Sequence, residues 1–177
     1  MLEDLSAHLL DISQNSIAAD ASKIVVTIRD NEHFEMEVYD NGKGMNEEQA
    51  ISVLNPFTTS RKTRRVGMGL PFLKQASELC GGEFRLTSQL GVGTTVYASF
   101  DKSNIDTQPT GDIPTSILTL MIDAPKIHWI FRYEKNSNIF EVDSKEIEEA
   151  IDGLESLSSP DVALGLVEYL RNGIEEL

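Results

Sequence analysis

The amino-acid sequence predicts an α+β protein, a two-layer α/β sandwich with helices on one face of a mixed, largely antiparallel sheet. Apolar residues recur at helical spacing near the N-terminus and then alternate with polar ones. Helix and strand patterns follow in the order helix, two strands, helix, loop, helix, two strands. Strands that come in pairs, with helices between the pairs, are typical of such a sandwich.

The first helix and the first strand pair follow from two different apolar periods. A helix is predicted where Leu5, Leu9 and Ile12 continue the spacing set by Leu2. Residues 23–30 and 33–40 instead alternate apolar and polar side chains, which predicts two half-buried strands joined by a tight turn. The apolar positions of these strands are Ile24, Val26, Ile28, Phe34, Met36 and Val38.

Proline and glycine divide the middle of the chain. Pro56 disfavours helical geometry in the residue before it, so a short helix ends there. Gly81 and Gly82 stop a later helix. The elements predicted for this part are a helix at about 46–54, a loop at 56–66, a helix at 69–79 and strands at about 83–89 and 94–100.

The composition shifts after residue 102, where Asp, Ser, Asn, Pro, Thr and Gly dominate. We therefore expect a main domain at 1–102, a linker at 103–115 and a small α/β C-terminal extension at 116–177. The extension is predicted to hold strands at about 116–122, 127–135 and 138–142 and helices at about 144–152 and 160–175. Its strands could extend the main sheet or add to the sheet of a neighbour, which leaves a homodimer open.

Composition excludes several classes of partner. The 177 residues carry 15 basic and 29 acidic side chains, a net charge of −14, which is a poor match to nucleic acid or to an anionic membrane. The first 22 residues contain no basic side chain and do not resemble a signal peptide. The single cysteine, Cys80, allows no internal disulfide and suits a reducing cytoplasm. We expect a cytoplasmic protein.

The segment Asp40-Asn41-Gly42-Lys43-Gly44-Met45 ends the second predicted strand. Two glycines one residue apart let the backbone turn sharply against a flat ligand, and the acid can accept a hydrogen bond from an exocyclic amine. A hairpin turn alone would explain the segment equally well, because Asn-Gly between apolar runs is a common hairpin signal.

Asp11 and Asn15 lie one helical turn apart on the first helix. A carboxylate and an amide at this spacing can hold a magnesium ion and orient a water molecule. An exposed polar helix face is the simpler explanation for this pair taken alone.

Two further glycine pairs favour a nucleotide site. Gly67-Met68-Gly69-Leu70 opens a helix, where unpaired amide donors and the helix dipole favour a phosphate. Four basic residues fall within positions 61–65, immediately before it, beside Thr58 and Thr59. Gly91-Val92-Gly93-Thr94 separates two strands, and by itself it is ordinary turn chemistry.

In this combination and order, the motifs resemble the ATPase superfamily that includes gyrase, the ninety-kilodalton chaperone, histidine kinases and the mismatch-repair ATPases. Its fold is named after Bergerat, and the resemblance covers residues 1 to about 100. Residues 9–16 resemble the N box, whose asparagine coordinates magnesium, here Asn15. Hydrolysing members place a glutamate as general base where this chain has Asp11, which is one methylene shorter.

The resemblance implies a role for each motif in binding ATP with Mg²⁺. Asp40 would bind the adenine amino group, with Gly42 and Gly44 admitting the base and Thr94 closing the pocket. Gly67 and Gly69 would contact phosphates, and Arg61 or Lys62 would reach the γ-phosphate. Met45, Thr58, Thr59, Met68 and Leu70 complete the nucleotide-binding set.

Residues 56–70 look most like the lid of the histidine-kinase branch, and we expect no phosphoacceptor domain before an N box that begins so early. None of the three histidines lies in a phosphoacceptor helix. The layout is similar to anti-sigma serine kinases and split histidine-kinase modules, which implies phosphate transfer to a separate regulatory protein, with Asp11 as the catalytic residue. The alternatives are a nucleotide-dependent binding switch without turnover, or a hydrolytic ATPase serving a larger complex.

Overall fold

A computed structural model describes residues 3–55, 69–151 and 157–177. The helices of these residues are α1 (Leu5–Ala18), α2 (Glu47–Ser52), α3 (Gly69–Leu79), α4 (Ile113–Asp123), α5 (Ser144–Ala150) and α6 (Pro160–Glu175). The strands are β1 (Lys23–Asp30), β2 (His33–Asp40), β3 (Phe84–Gln89), β4 (Gly93–Asp101), β5 (His128–Lys135) and β6 (Asn138–Asp143).

These strands form one sheet in the order β3-β4-β2-β1-β5-β6. β1 and β5 pair in parallel, and the other neighbours pair antiparallel. The mixed, largely antiparallel sheet predicted from the sequence is therefore confirmed.

One face of the sheet forms the core. Across its centre, Val26 lies between Val38 and Phe131, and all three side chains are buried. α1 packs on β2, α3 packs on β3 and β4, and α4 contacts α1 and α6. The apolar side chains of these helices join those of the strands in a single hydrophobic cluster. Burying one face of an alternating strand against helices is what fixes the register.

The opposite face is polar and carries ion pairs. The guanidinium of Arg29 lies 3.8 Å from Glu35, 3.9 Å from Glu37 and 3.2 Å from Glu134. The positions predicted to be polar in the first two strands thus face away from the helices, as the period-two pattern requires.

The strand predicted at 116–122 is wrong, because these residues belong to α4. Asp112 caps this helix through its carboxylate, which accepts from the Thr115 amide at 3.1 Å, and Pro114 lies in the first turn. α4 exposes only a narrow stripe of Thr115, Thr119 and Asp123, and its other sides are mostly buried. A short apolar run interrupted by threonines is consistent with a strand as well as with such a helix.

The C-terminal strands extend the main sheet, which settles one of the alternatives left open by the sequence. β5 pairs with β1 over residues 128–134, and β6 pairs with β5. The segment before α4 also contacts the first helix, since Pro109 and Thr110 accept from the Leu5 and Ser6 amides at 2.9 Å each. The division into a domain, a linker and an extension stays a prediction.

Among the described residues, no helix is long and apolar enough to cross a membrane.

Candidate functional site

The site is built around a buried carboxylate at the end of β2. Asp40 is only 3 % exposed. One of its oxygens accepts from the Ser16 hydroxyl at 2.6 Å, and the other accepts from the Gly42 amide at 2.9 Å. Each carboxylate oxygen can accept more than one hydrogen bond, so the group keeps acceptor capacity for a ligand amine.

Gly42 and Gly44 let the chain after Asp40 pass between two other elements. A Cβ at Gly42 would lie 2.6 Å from the carbonyl oxygen of Ala19, just after α1. Gly44 has a φ of 63°, and a Cβ there would collide with the carbonyl of Gln89. Contacts within the protein thus explain both glycines, and their contact with an adenine base stays a prediction.

The β3–β4 hairpin closes over this segment. The Gly91 amide donates to the Lys43 carbonyl at 2.7 Å, and the Met45 amide donates to the Ser88 hydroxyl at 2.8 Å. Ser88 also lies 2.8 Å from the hydroxyl of Thr94, which pairs directly with Asp40 across the strands. Thr94 and Asp40 therefore share the helix-facing side of the sheet, as residues that lie directly opposite in a strand pair do.

Asp11 and Asn15 lie on α1 beside the start of α3. Both side chains are half-buried, so neither belongs to a fully exposed polar face. A Cβ at Gly69 would lie 2.9 Å from the Asp11 carboxylate, which places the first residue of α3 directly against it. Asp11 of the N box therefore lies next to Gly69, which is part of the segment predicted to contact phosphates.

The predicted site residues fall into three groups. One group lies on the helix side of the sheet, where β2 ends and β4 begins: Asp11, Asn15, Asp40, Gly42, Gly44, Met45, Gly69 and Thr94. Leu70 is 7 % exposed and belongs to the core, so its side chain packs with the protein. Thr58, Thr59, Arg61, Lys62, Gly67 and Met68 lie outside the described residues.

Three polar side chains that the sequence did not single out complete the site. Ser16 and Ser88 hold Asp40 and Thr94 as described above. Asn41 accepts from the Ser22 and Lys23 amides at 2.9 Å each, which ties the turn after β2 to the start of β1. Ser16 directly follows Asn15, so its place on the buried side of α1 could have been read from the helical period. Ser88 and Asn41 carried no comparable signal.

His8 lies one turn before Asp11 and is 1 % exposed. Its Nε2 lies 3.2 Å from the side-chain oxygen of Gln108, and its buried Nδ1 has no hydrogen-bond partner among the described residues. Burial lowers the pKa of His8, which the hydrogen bond to Gln108 and the carboxylates of Asp11 and Asp4 oppose. The imidazole is therefore neutral at pH 7, and it connects α1 to the segment that contains Gln108.

The residues present suit a nucleotide carried with a hard cation. Asp11 and Asn15 offer oxygen donors, the type that magnesium prefers. No group of three or more His, Cys, Asp and Glu side chains that could hold a metal ion occurs in the described residues. A cation at Asn15 would thus need further oxygens from a ligand, as phosphates provide.

The chain is similar in sequence to two sensor kinases. The chain is 34 % identical over 87 residues to the CAI-1 autoinducer sensor kinase/phosphatase CqsS of Vibrio cholerae, covering 49 % of this chain and 12 % of that protein. It is 32 % identical over 74 residues to the sensor histidine kinase YvrG of Bacillus subtilis, covering 40 % and 13 %. The chain thus spans about an eighth of the length of these relatives.

Among solved structures, the Aquifex aeolicus MutL ATPase domain complexed with ADP superposes with a TM-score of 0.58 at 15 % identity, over 87 % of this chain and 69 % of that one. This likeness shows a shared fold. Residues 2–104 match the family described as histidine kinase-, DNA gyrase B-, and HSP90-like ATPase. The match covers more than half of the chain, and the chain belongs to this family of ATPases.

Proposed function

We propose that this protein binds ATP with Mg²⁺ at the Asp40 site and transfers the γ-phosphate to a separate regulatory protein in the cytoplasm. The observation that carries the proposal is the arrangement of Asp40, Asp11 and Gly69 around one end of the sheet. A buried acceptor for an amine lies at one side, and a carboxylate against a helix N-terminus lies at the other.

In this proposal Asp40 accepts a hydrogen bond from the adenine amino group. Its carboxylate is already oriented by Ser16 and Gly42, so the side chain loses little conformational freedom when the base binds. The Asn15 amide oxygen would be a ligand of the magnesium ion that accompanies the phosphates. When bound, this cation neutralises charge that develops on the phosphate oxygens.

Transfer requires a proton acceptor near the γ-phosphate. The bond from the γ-phosphorus to the β,γ-bridging oxygen breaks, ADP leaves with that electron pair, and a new bond forms to an oxygen or nitrogen of the acceptor protein. Asp11 accepts the proton that the acceptor group loses. Most of the rate enhancement comes from positioning, as is general for phosphoryl transfer.

The experiment uses purified full chain with ATP labelled at the γ-phosphate, Mg²⁺ and the purified products of neighbouring genes as acceptors. We expect label to appear on one acceptor. Asp11→Asn, which keeps the shape of the side chain against Gly69, should slow transfer by about 10²–10⁴-fold with ATP affinity little changed. Transfer at the wild-type rate in this variant would show that Asp11 is not the base.

A binding switch without turnover is the second candidate. It is favoured by Asp11 itself, because an aspartate reaches less far than a glutamate and this one lies against the start of α3. The same assay distinguishes the candidates. Saturable ATP binding with neither transfer nor release of phosphate would support the switch, and steady phosphate release without acceptor labelling would support a hydrolytic ATPase.

A further inference from the structure

β6 is the last strand in the sheet order, so one edge of its backbone has no strand neighbour among the described residues. This edge borders a groove. Asn138, Ile139 and Phe140 line a cavity of about 720 Å³, and Glu141, Val142 and Asp143 line an adjoining one of about 420 Å³. Tyr169 of α6 lines both cavities. We call the surface formed by β6 and the Tyr169 side of α6 the edge groove.

The smaller cavity of the edge groove has mostly apolar walls, whereas Asn138, Asn172 and Glu176 contribute polar groups to the larger one. Val142, Ile147 and Leu166 line the smaller cavity, whereas Ile139 and Tyr169 are 60 % and 55 % exposed. Large side chains exposed in this way beside an unpaired strand edge are a feature that soluble proteins generally avoid unless a partner covers them.

Two aromatic side chains pack against each other in the groove. The ring of Tyr169 meets that of Phe140 edge-on, with centroids 5.5 Å apart. Gly173 lies under the same Phe140 ring, where a Cβ would collide with it. Tyr169 is thus braced against β6 while more than half of its side chain stays accessible, as an anchor residue for a partner should be.

The surroundings of the groove are strongly acidic. The described residues 138–151 and 157–177 contain nine acidic and two basic side chains, which is half of the chain's net charge of −14 in about a fifth of its length. Glu146 and Glu176 line the two cavities and are exposed. A second copy of this chain would bring two such surfaces together, and like charges at close range disfavour that pairing.

We propose that the edge groove binds an extended basic segment of a partner protein, which adds a seventh strand beside β6. Backbone hydrogen bonds to the free edge would supply affinity, and alternate side chains would supply specificity. Residues of the segment that face α6 would be apolar and would contact Tyr169. The intervening residues would be lysine or arginine, matched to the acidic surroundings. β1 and β5 separate β6 from β2, so this surface is independent of the nucleotide site.

The probe is a fluorescein-labelled decapeptide of alternating lysine and valine, titrated with the full chain and followed by fluorescence anisotropy. We expect saturable binding that weakens with added salt and is absent for the matching glutamate–valine peptide. N-methylation of alternate peptide amides removes one strand edge without changing charge, and it should weaken binding at least about tenfold.

Two matched variants locate the contact. Tyr169→Ser should weaken binding at least about tenfold, because it removes the aromatic anchor. Leu164→Ser lies on the same helix, is similarly exposed and lines neither cavity, so it should bind within about twofold of wild type. Far-UV circular dichroism and ATP affinity verify that both variants are folded.

The proposal is overturned if the peptide does not bind, if the N-methylated peptide binds equally well, or if Tyr169→Ser binds like Leu164→Ser. Sedimentation velocity tests whether a second copy of this chain occupies the groove. A dimer that forms at micromolar concentration and is lost in Tyr169→Ser would assign the groove to a second copy and would also overturn the proposal. Because the peptide assay needs no nucleotide, its outcome does not depend on the proposed phosphate transfer.

Discussion

Replacing Asp40 with asparagine tests the nucleotide site with little change in shape. In Asp40→Asn the side-chain oxygen still accepts from the Gly42 amide, and the new amide group donates to the Ser16 hydroxyl, which can act as acceptor. We therefore expect the free protein to fold. The variant loses the charged acceptor that we assign to the adenine amine.

The size of the loss follows from the hydrogen bonds already made. Each Asp40 oxygen accepts one bond from the protein, so a ligand amine adds one further charge-assisted bond in a buried position. Such a bond contributes about 1.5–3 kcal/mol. Since about 1.4 kcal/mol corresponds to a tenfold change in affinity, ATP should bind about 10–150-fold more weakly.

The same substitution should favour binding of GTP, whereas it weakens binding of ATP. The GTP base presents a carbonyl oxygen where ATP presents its amine, and a carboxylate repels that oxygen whereas an asparagine amide can donate to it. Isothermal titration calorimetry with ATP and GTP, each with Mg²⁺, should thus give a smaller preference for ATP in Asp40→Asn than in wild type.

Asp161→Asn provides the matched control, because it removes the same charge from an exposed position in the first turn of α6. It should bind ATP as wild type does. If a folded Asp40→Asn binds ATP within about twofold of wild type, the adenine does not contact this carboxylate and the assignment of the site is wrong.

Three further predictions concern stability. Gly165→Ala should raise the melting temperature by about 2–4 °C, because helix propensity improves by about 0.8–1 kcal/mol and the new methyl meets nothing within 4 Å. Gly173→Ala should lower it, since overpacking against Phe140 costs about 1–3 kcal/mol and exceeds the same gain; equal melting of the two variants in calorimetry would contradict this. His8 has a pKa lowered from 6.5, so the unfolded chain takes up a proton first and stability falls as pH drops below that value. Between pH 7.5 and 5.5, urea unfolding should show a smaller loss in His8→Gln than in wild type, and parallel losses would refute a buried neutral imidazole.

Much of the fold was predictable because most elements have one buried face. β1 and β2 begin and end at the predicted residues, 23–30 and 33–40, since alternation over eight residues leaves little doubt about face or register. α4 was missed because a short apolar run interrupted by threonines is consistent with a strand as well as with a buried helix. The available signals were the capping sequence at Asp112-Ile113-Pro114 and the helical spacing of Thr115, Thr119 and Asp123, which are exposed.

The site was predictable where a residue type is uncommon for its position, as with a carboxylate at the end of a buried strand. The supporting residues were harder to find. Ser88 reaches Met45 and Thr94 only because the β3–β4 hairpin folds over the turn after β2. A serine in an alternating strand has no sequence feature that distinguishes this position from an exposed one.

The parallel pairing of β1 with β5 determines when this protein can complete its sheet. Lys23 pairs with His128, so β1 waits for a strand that a ribosome synthesises roughly 5–20 s later. Until then the nascent chain has every motif of its nucleotide site but an open strand edge at the centre of its sheet. Closing a loop of this length also raises the contact order, which slows folding. A nucleotide that binds early would hold the first half in place during this interval, and a chaperone would have an exposed strand to protect.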